Sequence, residues 1–137
     1  MVKGEGNYAF QRLHVWQDAM ELVRCVYKVT EQFPDEERYG ITAQLRRAVV
    51  SIPVNIAEGR GRFSKKEQVQ FFYNARGSLY EVITLLTIAF QQGYYNAQDS
   101  SKIDGMCQTV LGQLSGLINS LKRISPPPLT PHPSPSS

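Results

Sequence analysis

In four successive stretches of this chain, apolar side chains return every three or four residues, and none of these stretches alternates them every second residue. That spacing gathers apolar groups on one face of a helix, so it admits an all-α fold and leaves no material for a sheet. The first stretch carries Trp16, Ala19, Met20, Val23, Val26, Tyr27 and Phe33 and stops at Pro34. Ahead of it, Leu13 and Val15 alternate with polar neighbours and suggest a lead-in lying extended against the fold. The second begins near Gly40 and runs through Ile41, Leu45, Ala48, Ile52 and Ile56 toward Gly59 and Gly61. Pro53 interrupts it, removing one backbone hydrogen bond and crowding the preceding turn at a cost of about 3 kcal/mol. Because Ile52 and Ile56 keep the phase set by Leu45 and Ala48, the proline is expected to kink this helix, not end it.

Helix ends are marked by local chemistry. Ser64 followed by Glu67 is a capping-box spacing: the serine oxygen can accept from the Glu67 amide while the glutamate reaches back to the Ser64 amide. From there Phe72, Ala75, Leu79, Val82, Ile83, Leu86, Ala89 and Phe90 continue in phase to Gly93, which suits a left-handed residue after a helix. A fourth pattern, from Ile103 through Cys107, Val110, Leu114 and Ile118 to Ile124, follows a candidate cap at Asn96 and ends before Pro126. A chain of 137 residues supports one core. Four amphipathic helices joined by short turns then predict an up-down-up-down four-helix bundle over residues 13–124, preceded by a flexible N-terminus, 1–12. Residues 125–137 are rich in proline and serine and nearly free of apolar groups, so a disordered C-terminal tail is expected there.

The chain shows no signal-like apolar stretch at its start and no segment approaching the ~20 apolar residues of a membrane span, so a cytoplasmic protein that enters no membrane is expected. Cys25 and Cys107 lack the close spacing of a zinc or redox pair and read as buried free thiols. The two histidines, His14 and His132, have no partner for nucleophile activation or metal binding. The Gly59-Arg60-Gly61-Arg62 run lacks both the preceding strand and the lysine ending of a phosphate loop. No catalytic role, metal or cofactor is therefore expected. Charge, by contrast, is uneven. Residues 38–76 hold eight basic groups against Glu58 and Glu67, a local +6, so the remainder of a chain with net charge +3 is −3. Such a basic surface suits phosphates or an acidic partner. Arg46 and Arg60 lie fourteen residues apart, roughly 21 Å along a helix. With Arg47, Arg62, Lys65 and Lys66 they are the candidate nucleic-acid-binding residues.

A polar stripe runs along the second helix: Gln44, Arg47, Ser51, Asn55, Glu58 and Arg62 recur by three or four and share a face. If the next helix returns antiparallel about a turn near Phe63, Arg47 falls level with Leu79 to Glu81, and an Arg47–Glu81 pair becomes plausible. Gln44, Ser51, Pro53, Asn55, Glu58 and Glu81 are thus candidate structural or interface residues. On the residues alone, two readings stand: a specific interface for another subunit or nucleic acid, and a solvated face with incidental ion pairs.

Certain runs are recognisable. QLRRAVVSIPVNIAEGRG from Gln44 to Gly61, the Ser64 capping box, ARGSLYEVITLLTIAFQQGYY from Ala75 to Tyr95 and the opening LHVWQDAMELV together resemble the four-helix bundle family encoded by intervening sequences in bacterial large-subunit ribosomal RNA genes. The likeness covers about residues 13–124. That family in turn resembles the accessory variability determinants of diversity-generating retroelements. The resemblance implies a homo-oligomer, a ring of five, with no enzymatic activity. It also implies RNA or RNA–DNA hybrid as ligand and a reverse transcriptase as protein partner. A homo-oligomeric scaffold that touches no nucleic acid is the alternative.

Overall fold

The computed structural model describes residues 6–123, in which four helices make an antiparallel bundle and no strand occurs among the described residues. The helices are α1 (His14–Thr30), α2 (Ile41–Arg60), α3 (Lys65–Gln91) and α4 (Ala97–Arg123). Each packs against its two neighbours in cyclic order, α1 on α2, α2 on α3, α3 on α4 and α4 back on α1. Contacts fix the directions. Arg46 near the start of α2 reaches Thr30 at the end of α1, Gly59 near the end of α2 meets Phe72 in the first turns of α3, and Lys122 at the end of α4 reaches Tyr73. Gln113 donates to Asp18 and Gln32 to Asp99, so α1 and α4 are antiparallel as well. The expected up-down-up-down order is therefore the observed one. The proline-rich tail lies outside the described residues.

The core is built from one face of each helix: Ala19, Leu22 and Val26 of α1, Leu45, Val49, Ile52 and Ile56 of α2, Phe72, Leu79 and Val82 of α3, and Val110, Leu114 and Ile118 of α4. For α2, α3 and α4 this is the face expected from the spacing, except that in α3 Ile83 is half-buried and Phe90 exposed. In α1 the phase differs. Of the expected set Ala19, Val26 and Phe33 are buried, joined by Val15, Leu22 and Val29 and by the polar Gln17 and Thr30, whereas Trp16 and Val23 are only half-buried and Met20 and Tyr27 are exposed. α1 is apolar on two adjoining faces, and counting apolar residues alone does not say which of them turns inward.

Helix ends follow the caps in the sequence, with one change of partner. Ser64 Oγ accepts from the Glu67 amide at 3.1 Å, but the Glu67 carboxylate accepts from the Ser64 hydroxyl at 3.2 Å, not from the Ser64 amide. Asn96 Oδ1 accepts from the Asp99 amide at 2.7 Å. Gly93, at φ +78°, closes α3 in a Schellman motif: Tyr94 N–H donates to Ala89 O and Gly93 N–H to Phe90 O. α2 runs through the buried Pro53 without ending. Ahead of α1, where a flexible or extended lead-in is expected, residues 9–12 form a 3-10 turn flanked by extended Tyr8 and Leu13, and its Phe10 ring packs edge-on against Trp16. Val15 belongs to the helix, because aromatic contact and a Gln17 side chain donating to Gln11 O tie the segment down.

Candidate nucleic-acid interface

Up-down-up-down order brings the end of α2, the start of α3 and the end of α4 to one end of the bundle. Arg60 closes α2, Arg62 lies in the turn, Lys65 and Lys66 open α3, and Lys122 and Arg123 close α4; all six are exposed. Lys122 lies 56 residues beyond Lys66, and it and Arg123 join the basic segment only through the fold, which is why a local charge count misses them. Among the described residues, Glu58 and Glu67 are the carboxylates at this end, and Glu67 is engaged in capping. Cations at the C-terminal ends of α2 and α4 also meet the partial negative charge of those helix termini, a favourable placement. The opposite end, where α1 passes to α2 and α3 to α4, carries Glu31, Asp35, Glu36, Glu37, Asp99 and Asp104.

Arg46 does not join the basic end. Its Nε donates to Thr30 Oγ1 at 2.9 Å and its Nη2 to Tyr27 O at 3.3 Å, while the guanidinium lies 4.6 Å from the centre of the Tyr27 ring. It therefore satisfies a carbonyl of the last turn of α1 and pins that helix to α2. Arg47 is exposed along the bundle side, remote from the turn, and among the described residues forms no ion pair with Glu81. The register explains this. With Gly59 against Phe72, twelve residues back along α2 and twelve forward along α3 set Arg47 opposite Thr84, almost a turn beyond Glu81. The helices meet about the capped start of α3, not about Phe63.

Of the polar stripe, Gln44, Arg47, Glu58 and Arg62 are exposed, while Ser51 and Asn55 are half-buried and turned onto their own helix. Ser51 Oγ donates to Ala48 O at 2.7 Å and Asn55 Nδ2 to Ser51 O at 2.8 Å, flanking Pro53 where the backbone ladder lacks a donor. These two side chains support the helix around its proline.

At the basic end the cations are interleaved with aromatics. Arg62 stacks on Phe71, 4.6 Å from the ring centre. A groove of about 400 Å³ between α3 and α4 is lined by Lys65, Lys66, Val69, Gln70, Tyr73, Leu121 and Lys122. Lys122 Nζ donates to the Tyr73 hydroxyl at 2.9 Å, and this bond pulls the phenol below its ordinary pKa against a smaller opposing effect of burial. Arg76 lies 5.1 Å from the Tyr73 ring centre and donates to Ser115 Oγ. Phe63, in the turn itself, is fully exposed (103%).

A second surface feature was hidden by the phase of α1. Its outer face and that of α2 enclose an open, almost wholly apolar groove of about 350 Å³, with Trp16, Met20 and Val23 on one side, Val50, Val54 and Ala57 on the other, and Phe10 at one end. Elsewhere, Cys25 and Cys107 are free thiols; Cys107 is buried, as expected, and Cys25 only half so. Burial pushes Cys107 up to about 12. Among the described residues, no cluster of His, Cys, Asp and Glu is arranged to hold a metal ion, and no helix is long and apolar enough to cross a membrane.

Comparison with known proteins agrees with this architecture. A solved structure from Bacteroides thetaiotaomicron VPI-5482, described as a protein of unknown function from the S23 ribosomal protein family, superposes with a TM-score of 0.71 at 17% identity, covering 76% of this chain and 97% of its own. At that identity the likeness speaks for the fold. No curated protein matches the chain. The sequence profile of the 23S rRNA-intervening sequence proteins matches residues 11–116, most of the bundle, and the chain belongs to that family.

Proposed function

We propose that this chain is a non-enzymatic, homo-oligomeric nucleic-acid-binding accessory protein that holds RNA or an RNA–DNA hybrid through its basic end and assists a retroelement reverse transcriptase. The observation that carries the reading is the convergence of Arg60, Arg62, Lys65, Lys66, Lys122 and Arg123, from three helix ends, on one face with few carboxylates. A bundle end presents no element shaped to enter a groove and read base edges, so affinity comes mainly from phosphates and falls with salt. The apolar groove between α1 and α2 favours self-association, since an exposed apolar channel on a charged surface marks an interaction site. The ring of five and the reverse transcriptase follow from the family resemblance, not from the groove. Repetition around a ring would multiply the basic end and so its avidity.

The test is binding of a labelled RNA hairpin and an RNA–DNA hybrid between about 50 and 300 mM salt. Replacing Arg60, Arg62, Lys65 and Lys66 by Gln is expected to lower the slope of log affinity against log salt by about one for each phosphate that the variant no longer neutralises. Unchanged binding by a folded, oligomeric variant would make the basic end a solvated face and favour the scaffold reading. Co-purification of the wild-type chain, but not this variant, with a retroelement reverse transcriptase and its RNA would support the accessory role.

A further inference from the structure

We propose that the basic end selects an unpaired strand, with Phe63 stacking on an exposed base and the α3–α4 groove receiving a neighbouring nucleotide. This rests on the nucleic-acid reading above and narrows it. Phosphate binding requires only cations, yet this end of the bundle also displays apolar surface in two places. Phe63 stands at the tip of the α2–α3 turn with its ring open to solvent, while Arg60, Arg62, Lys65 and Lys66 lie within three residues of it. The next two phenylalanines along the chain are placed differently: Phe71 is covered by the Arg62 guanidinium and Phe72 is buried in the core. The free ring is therefore a specific feature of the turn.

The groove beside it combines cationic rims with an apolar floor. Lys65 and Lys66 stand on one wall and Lys122 on the other, with Val69 and Leu121 between them. Its volume of about 400 Å³ lies within the range of small-molecule sites. Gln70 offers an amide and Tyr73 a phenol that already accepts from Lys122. Ammonium groups around an apolar slot with amide and hydroxyl functions match a nucleotide, which has an anionic phosphate, a flat base and polar base edges. In a duplex the bases are stacked and paired, and neither Phe63 nor the Val69–Leu121 floor would gain a partner. In a single strand both would, because every base presents a π-face whatever its identity. RNA and DNA share this chemistry, so both are tested.

The experiment titrates the wild-type chain with labelled oligouridylate and oligothymidylate of about 12 nucleotides and with an RNA duplex of about 12 base pairs. Wild type is expected to bind at least one single strand more tightly than the duplex. Phe63→Ala removes no charge and disturbs no part of the core, and is expected to weaken single-strand binding about tenfold while leaving duplex binding within about twofold. Phe63→Trp should restore affinity, with its emission quenched as the strand binds. Lys122→Gln should weaken the single strands as well. Equal losses on duplex and single strand, or no loss on either, would overturn the stacking role. A fall in oligomer mass for Phe63→Ala would overturn it too, by assigning the ring to a subunit contact. If wild type binds none of the three probes at low salt, the nucleic-acid reading itself fails; if it binds and Phe63→Ala does not matter, only this inference fails.

Discussion

A Cβ built on Gly59 would lie 2.8 Å from Phe72 Cε1 and 2.9 Å from Phe71 Cβ, so alanine cannot enter without displacing a buried ring or the α3 backbone beneath it. Alanine would gain up to about 1 kcal/mol of helix propensity, whereas overpacking typically costs about 1–3 kcal/mol. The packing cost is expected to win, because Phe72 has no room to withdraw, and Gly59→Ala should lower the urea midpoint. The sequence shows a glycine near a helix end, which reads equally as a terminator; only the contact reveals it as the place where two helices close on each other. Cys107 behaves similarly. Its apolar neighbours in sequence announce burial, and the structure adds the consequence for pH. The buried thiol keeps its proton up to about 12, while in the unfolded chain it ionises near the ordinary value. Between those values the unfolded state binds fewer protons than the folded one, so stability falls as pH rises, and below the unfolded value the penalty vanishes. Chemical denaturation of the wild type and Cys107→Ala at a series of pH values from about 8 to 11 should show a shallower decline for the variant. Identical slopes would mean the thiol does not titrate with unfolding.

At the scale of the helices, the caps and the count of four were legible because each rests on neighbours in sequence: Ser64 with Glu67, Asn96 with Asp99, and Gly93 after α3. The inward face of α1 was not. Trp16, Met20, Val23 and Tyr27 repeat with the same period as Val15, Ala19, Leu22 and Val26, and a periodicity cannot rank two faces that both satisfy it. Which one enters the core is decided by α2 and α4, which α1 meets only in the folded bundle. Register was likewise out of reach, and with it the fate of Arg47 and Glu81, because a shift of less than a turn separates a pair from no pair. The basic segment itself was visible, but not that Arg46 would be turned inward to the end of α1 or that Lys122 would arrive from the far end of the chain. The apolar surplus on α1 yields a prediction. Val54 is exposed on the monomer and lines the α1–α2 groove, so Val54→Glu should cost the isolated bundle little. If the groove is a subunit contact, that carboxylate is buried without a partner on assembly, a strongly unfavourable outcome. Light scattering on a sizing column should then give a mass several times 15.5 kDa for the wild type and about 15.5 kDa for the variant, with helical circular dichroism retained in both. A monomeric wild type, or a variant of unchanged mass, would remove the groove from the assembly.

Across the whole molecule, charge is sorted along the bundle axis. Among the described residues, the end that gathers Arg12, Arg60, Arg62, Lys65, Lys66, Lys122 and Arg123 holds Glu58 and Glu67 against them, while the opposite end sets Glu31, Asp35, Glu36, Glu37, Asp99 and Asp104 against Lys28, Arg38, Arg46, Arg47 and Lys102. Nothing in folding requires this, because surface ion pairs contribute little wherever they lie and interspersed charges would repel less. Like charges held together by the fold repel one another more than in the unfolded chain, where three of the contributing segments drift apart. The basic end therefore costs stability, and salt should relieve part of that cost by shortening the range of repulsion to about 8 Å at physiological ionic strength. Two consequences are linked. The thermal midpoint of the wild type should rise as salt is increased from about 20 to 300 mM, and the variant with Gln at 60, 62, 65 and 66 should start higher at low salt and respond less. The same variant is the one expected to lose the salt dependence of nucleic-acid binding, so stability and affinity move in opposite directions, as they do when a site is held against the preference of the fold. A polyanion bound at this end should do what salt does and more, raising the midpoint of the wild type at low salt and leaving that of the variant nearly unchanged. If the variant is no more stable than the wild type at low salt, the basic groups are too well hydrated to repel across this surface, and the case for a concentrated phosphate-binding end weakens with it.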